Sequence, residues 1–266
     1  MPKDVNAQIE KLILAKNEAG ILTLLKSGAA QPNDTFEVSG YNLQLLPAAQ
    51  ERSWDELAVY LIEHGVNLKA SRGRRAILSA CTTRSHKVIE ALIAAGVSVN
   101  VKAAKMDGEA DYTPLMVAAE GRDPWAVRRL LAAGADPTTQ TCRHETAVHH
   151  ALMYYFVGPK PEPAATEIVK VLLDAGCPLL GTELHYPVYR RDVAMTKLLL
   201  DRGSPVNVLL AHKGSHEKPG PKKGDSLLKT AERINTVDLI GGNVGFEVTD
   251  ARREAIIEML RTAGAT

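Results

Sequence analysis

TPLMVAAEGRDPWAVRRLLAAGADP, residues Thr113 to Pro137, reads as two short helices with their stops within 25 residues. Pro114 presets the backbone dihedral of a first helical turn, where a missing N–H costs nothing. The small pair Ala118–Ala119 lets a neighbouring helix approach closely. In the second half, Ala126–Val127 lie four residues ahead of Leu130–Leu131, a spacing that lays one apolar stripe along a helix. Gly134 then ends that helix, as a residue without Cβ does when the C-cap backbone turns left-handed.

The same ending recurs along the chain. LLKSG, LIEHG, LIAAG, LLAAG, LLDAG, LLDRG and LRTAG close on Gly28, Gly65, Gly96, Gly134, Gly176, Gly203 and Gly264. Four residues before each glycine stands Leu24, Leu61, Leu92, Leu130, Leu172, Leu199 or Leu260. A second apolar residue follows that leucine in the first six, but Arg261 takes its place in the last. One turn earlier, Leu57, Val88–Ile89, Ile168–Val169 and Ile256–Ile257 extend the stripe. Each such helix is too short to persist alone and must pack on its neighbours.

First helices repeat as well. TAVHHALMY begins at Thr146, 33 residues after Thr113; RAILSAC (Arg75–Cys81), LPAAQ (Leu46–Gln50) and SLLKTAE (Ser226–Glu232) hold comparable places. On these motifs the chain resembles the ankyrin repeat family, whose unit of 33 residues opens on a TPLHxA turn. The resemblance covers roughly residues 9 to 264. It implies an all-α solenoid of about seven helix–turn–helix units with finger loops and irregular C-terminal insertions. One domain, 1–266, is expected, with units near 9–33, 44–70, 75–101, 113–139, 146–181, 186–207 and 226–266.

Glycine spacings of 37, 31, 38, 42, 27 and 61 depart from the family period. The excess collects in the finger Val97–Asp111 and in insertions at 156–166, 212–224 and 234–250. His212–Gly224 (HKGSHEKPGPKKG) reads as a polar, flexible loop rich in breakers. Ile234–Asp250 reads as a short hairpin. The unit ending at Gly203 is short, which predicts a truncated first helix around Pro187–Arg191.

Composition bounds the rest. A formal charge of +1 gives no overall field to recruit nucleic acid or an anionic membrane. No apolar run reaches the length of a bilayer span, and the charged N-terminus lacks the apolar stretch of a secretory signal. Three cysteines, Cys81, Cys142 and Cys177, fit reduced thiols in the cytoplasm. KPGPKK (Lys218–Lys223) leaves nuclear import open but reads first as a solvated loop.

Motifs that tempt a chemical reading fall short. His144 and His149 stand five apart, whereas a zinc-binding helix face needs a spacing of four; His149 instead holds the histidine place of the TPLH turn, a structural role in the family. IGGNVG (Ile240–Gly245) lacks the lysine and hydroxyl ending of a phosphate loop. Cys81 stands at an alanine place of a first helix and reads as a small core residue.

Aromatics are more informative: six of the ten Tyr and Phe, Tyr112, Tyr154, Tyr155, Phe156, Tyr186 and Tyr189, lie between 112 and 189. Trp54 and Trp125 fall at turns between helices. The resemblance puts a partner-facing surface on the finger tips and first helices. Carried onto this chain, that surface takes in Arg72, Arg74, Thr82, Thr83, Glu109, Tyr112, Glu120, Arg143, Glu145, Met153 and Tyr154. Arg, Tyr and Met are the types enriched at binding hot spots. The expectation is a monomeric protein-interaction module, adaptor or scaffold, that binds a protein or peptide on its concave face. It is expected to use no catalytic residue, cofactor or metal, and no nucleic acid or membrane. The alternative is an enzyme with its site in the insertions, around His149, His185 and Asp192, or an effector or regulatory subunit acting through a bound partner.

Overall fold

The computed structural model describes residues 3–69, 71–104, 111–153, 163–209, 224–233 and 251–266. The fold divides into two compact halves, Met1–Asp136 and Pro137–Thr266.

The N-terminal half carries α1 (Lys3–Leu14), α2 (Glu18–Lys26), β1 (Thr35–Val38), β2 (Tyr41–Gln44), α3 (Leu45–Glu51), α4 (Asp55–Glu63), α5 (Ser71–Thr83), α6 (His86–Ala94), β3 (Ala103–Ala104), β4 (Asp111–Tyr112), α7 (Pro114–Glu120) and α8 (Pro124–Ala132). The C-terminal half carries α9 (Ala147–Met153), α10 (Pro163–Asp174), a 3-10 turn at Thr182–Leu184, α11 (His185–Arg190), α12 (Val193–Asp201), α13 (Leu227–Arg233) and α14 (Ala251–Thr262). Consecutive helices pack in pairs, α1 on α2 through α13 on α14, so the described residues form seven units. Within the N-terminal half the first helices α3, α5 and α7 stack in order, and so do the second helices α2, α4 and α6. In the C-terminal half α9, α11 and α13 stack, and α12 packs on α14. Among the described residues, the main contacts of each helix are with its neighbours, as in a solenoid.

The seven glycines do what their places predict. All of them, from Gly96 at φ +75 to Gly176 at φ +89, are left-handed. At Gly134 the geometry closes in full. The Gly134 N–H donates to Leu131 O at 3.0 Å and the next N–H, of Ala135, reaches back to Leu130 O at 2.9 Å. These two bonds satisfy carbonyls that the helix end would orphan. The residue whose carbonyl takes the bond that spans more residues is the repeated leucine, and Leu61, Leu92, Leu130, Leu172, Leu199 and Leu260 are fully buried. Leu24, in the first unit, is half-buried instead. There the return bond comes one residue later, from Ala30 to Leu24 O at 3.3 Å. At about 2 kcal/mol for each fully buried leucine, the repeated ending is a principal source of cohesion.

A second device joins the helices of a unit. Lys16, Ser53, Arg84, Arg122 and Arg191 are left-handed without being glycine. Each immediately precedes the cap of a second helix. The caps Asn17, Asp123 and Asp192 accept backbone N–H groups of Gly20, Ala126 and Met195 at 2.9–3.0 Å.

The structure departs from the sequence reading in three places. Residues 35–44 form a hairpin that the sequence reading passed over, with Phe36 fully buried. Its turn, Ser39–Gly40, has φ +51 and +82, the mirror-image turn that matches strand twist. The α1 side chains Asn6 and Glu10 line its outer edge. Asn6 donates to Glu37 O at 3.0 Å and accepts from Glu37 N at 2.9 Å, and Glu10 accepts from Ser39 N at 2.8 Å. The first unit also begins earlier than residue 9, because α1 starts at Lys3. Finally, Pro163–Thr166, read as insertion, are the first turn of α10, where proline is tolerated. The short unit does have the shortest helix, α11 with six residues. The insertion 234–250 and residues 212–223 lie outside the described residues.

Candidate functional site

Finger loops and first helices carry the residues singled out from sequence. In the N-terminal half the finger between the third and fourth units is a small hairpin, with Ala103 opposite Tyr112 and Ala104 opposite Asp111. Strand alternation turns Asp111 outward and Tyr112 inward, and Tyr112 is only 9% exposed. Thr113 then caps α7, its hydroxyl accepting from Met116 N at 3.3 Å. Pro114 through Ala119 are buried, and Glu120 at the helix end is half-buried. Arg72 and Arg74 fall in the first turn of α5, and Thr82 and Thr83 at its last. Glu109 and Tyr154 lie outside the described residues, as do Tyr155, Phe156, the IGGNVG segment and KPGPKK.

The C-terminal half presents a tighter construction. Thr141 N donates to Glu145 O at 3.0 Å and His144 N to Thr141 O at 3.0 Å, closing a loop of five residues. The Thr141 hydroxyl donates to the Glu145 carboxylate at 3.1 Å and accepts from the backbone N–H of Arg143 and Glu145, both at 3.2 Å. Glu145 and Thr141 are buried by this knot, whereas Cys142, Arg143 and His144 at its crest are exposed. Glu145, expected among the partner-facing residues, is instead a buried residue, 8% exposed. Tyr112 is likewise buried, and there the alternation of a short strand decides which neighbour faces out. Met153, at the end of α9, is half-buried.

Glu145 also faces two histidines. Its two carboxylate oxygens lie 3.8 Å from Nε2 of His149 and of His150. His149 Nε2 lies 3.1 Å from the Tyr186 hydroxyl on α11, and the two rings meet edge to face. His149 N donates to the Thr146 hydroxyl at 3.3 Å, so the histidine of the TPLH turn is anchored as a structural element. This buried network ties the finger loop, α9 and α11 together in place.

The three residues of the enzymatic alternative have separate tasks. His185 lies between Thr230 Oγ1 at 3.0 Å and Val208 O at 3.2 Å. Burial lowers its pKa below the usual histidine value, against the pull of the Val208 carbonyl and Asp225. Asp192 caps α12, and His149 holds Tyr186. Among the described residues, no group of three or more His, Cys, Asp or Glu is arranged to hold a metal ion. All three cysteines are free. Burial, and next the charge of Asp123, pushes the Cys81 thiol up to about 12, so it stays protonated and inert. Burial likewise raises Cys177, despite hydrogen bonds from the first residues of α9.

Sequence reasoning missed the hooks between units. Asn33 donates to Gly65 O at 3.0 Å and accepts from Asn67 N at 2.6 Å. Asn100 does the same with Gly134 O at 2.9 Å and Asp136 N at 2.8 Å, and Asn207 with Gly264 O at 3.0 Å and Thr266 N at 2.9 Å. Their signal is positional, an asparagine four or five residues after a capping glycine. The last hook shows that the long excursion before α14 leaves the packing of sixth and seventh units intact.

Among the described residues, no helix is long and apolar enough to cross a membrane. No curated protein matches the chain in sequence. Residues 115–209 match the family model for ankyrin repeats (3 copies). Of solved structures, the human ASB11 ankyrin repeat domain is similar in fold, with a TM-score of 0.60 at 17% identity, covering 97% of each chain. With seven helix pairs and glycine caps among the described residues, the chain has the ankyrin-repeat fold, and residues 115–209 match the ankyrin-repeat family itself.

Proposed function

We propose that the chain acts by binding alone, holding a protein or peptide partner on its finger loops and first helices. Ankyrin repeats mark a protein-interaction module; which surface is used, and that no chemistry accompanies it, are our reading. The observation that carries it is the loop Thr141–Glu145. Its internal hydrogen bonds fix the backbone and present Cys142, Arg143 and His144 outward on a frame locked to α9. A preordered crest loses little conformational freedom on binding. Met153 lies on the same half, and in the N-terminal half Arg72, Arg74, Glu109 and Glu120 belong to the equivalent fingers and first helices. Three free cysteines support a reducing compartment, the cytoplasm.

The test is affinity capture with the wild-type chain beside Arg143→Glu combined with His144→Asn. Asparagine tolerates the left-handed backbone at 144. We expect a protein retained by the wild type to be lost by the double variant and kept by Lys197→Ala on α12. A captured set indifferent to the double variant would refute this placement of the surface.

A further inference from the structure

Polar ties cross three of the seams between second helices. Glu18 on α2 accepts from Leu57 N on α4 at 2.8 Å, and Arg129 on α8 donates to Glu90 on α6 at 2.6 Å. Arg202, at the end of α12, meets Asp174 on α10 at 2.9 Å. Between α12 and α14 no such tie is found among the described residues, and Lys197 turns back to Asp201 on its own helix. That seam opens into a cleft of about 350 Å³, at the small end of the range for ligand pockets.

Leu200 on α12 and Met259 and Ala263 on α14 supply the apolar lining. Leu200 and Met259 are half-buried, although the leucines beside them, Leu199 and Leu260, are fully buried. Methionine, unbranched and polarisable, adapts to an irregular contact. Charge around the cleft is one-sided. Lys197 and Asp201 neutralise each other at 2.8 Å. Glu258, exposed on the α14 wall, has no ion-pair partner among the described residues, Arg261 three residues on included. Arg252 stands about 9 Å back along the helix at 1.5 Å per residue. The lining residues also belong to the last turns of α12 and α14, where two helix dipoles present their negative ends.

We infer that the α12–α14 cleft is a second docking site, taking a short basic and apolar segment of a protein partner, an inference that rests on reading the chain as a protein-binding module. A leucine-sized side chain packs on Leu200 and Met259, and an arginine or lysine next to it meets Glu258. The apolar lining alone would accept many segments; the carboxylate and the two helix ends select a cationic one and repel an acidic one.

Methyl NMR of the full chain labelled at its six methionines tests this through Met259, its signal assigned with Met259→Leu. The probes are the acetylated amides of Arg-Leu-Leu-Arg, Glu-Leu-Leu-Glu and Arg-Ala-Ala-Arg. In low salt the first should shift the Met259 methyl saturably and bind about fivefold tighter than either of the others. Glu258→Gln should weaken it by about threefold, and Ala263→Phe, which fills the exposed wall of the cleft, by about tenfold. Lys197→Ala removes a competing cation and should not weaken it. A Met259 methyl that answers none of the probes, answers the acidic one equally, or moves with protein concentration alone, as a second copy in the cleft would make it, would each overturn the inference. Capture that depends on Arg143 belongs to the Thr141–Glu145 loop and is unaffected by any of these results, so the two readings fail separately.

Discussion

At Gly181 two requirements meet in one residue. Its φ is +89, and a Cβ built there would lie 2.6 Å from Pro205 O and 2.7 Å from Val208 Cγ2. Gly134 has φ +88 but open space around the missing Cβ. Alanine at 134 therefore pays backbone strain of about 1 kcal/mol, whereas alanine at 181 adds a clash with backbone, for about 3 kcal/mol or more in all. Urea unfolding followed by circular dichroism separates the two; equal losses would show that the loop at Pro205 yields freely. The hook residue Asn100 sets a smaller scale. Asn100→Ala removes two exposed hydrogen bonds and is expected to lower stability by about 1 kcal/mol in the same measurement.

Among elements, the second helices were the most legible and also carry the clearest asymmetry. In α6, Leu92 is fully buried while Ile93 beside it is half-exposed. Leu92→Ala is expected to cost about 3 kcal/mol through lost burial and a cavity, and Ile93→Ala about 1 kcal/mol. A reversed order in the unfolding midpoints would show that the stripe faces elsewhere. That stripe could be read because leucine and glycine recur at fixed separation, each for a local reason. The first helices were harder, since Pro114–Ala119 are buried nearly all round and leave no polar face to mark a period. The β1–β2 hairpin was missed because its turn signal is the pair Ser39–Gly40, while its outer edge is satisfied by Asn6 and Glu10, about thirty residues earlier in the chain. The candidate surface was legible only as a region. Glu145 and Arg143 are two residues apart, and it is the hydroxyl of Thr141 that draws one inward and leaves the other outside.

At the scale of the molecule, each half has its own interior, and among the described residues that of the C-terminal half holds more buried polar groups. His185 and Glu183 are both buried there, with opposite consequences. His185 has its folded pKa lowered, chiefly by burial. Below the ordinary histidine value of 6.5 the unfolded chain takes up a proton before the folded one does. Stability supplied by neutral His185 is thus whole above that value and is lost as pH falls from it toward the lower folded value. Glu183 has its folded pKa raised by burial, against hydrogen bonds from Leu180 and Gly181 backbone. Its folded form holds a proton that the unfolded chain releases, so stability falls as pH rises from the ordinary 4.5 toward the raised value. The two slopes oppose each other in mild acid. Removing one should expose the other: His185→Asn is expected to flatten the loss of stability between neutral pH and mild acid, and Glu183→Gln, which keeps an acceptor for Leu180 N, to steepen it. Urea midpoints across that range decide the matter, and parallel profiles for wild type and both variants would mean that neither buried group titrates with unfolding.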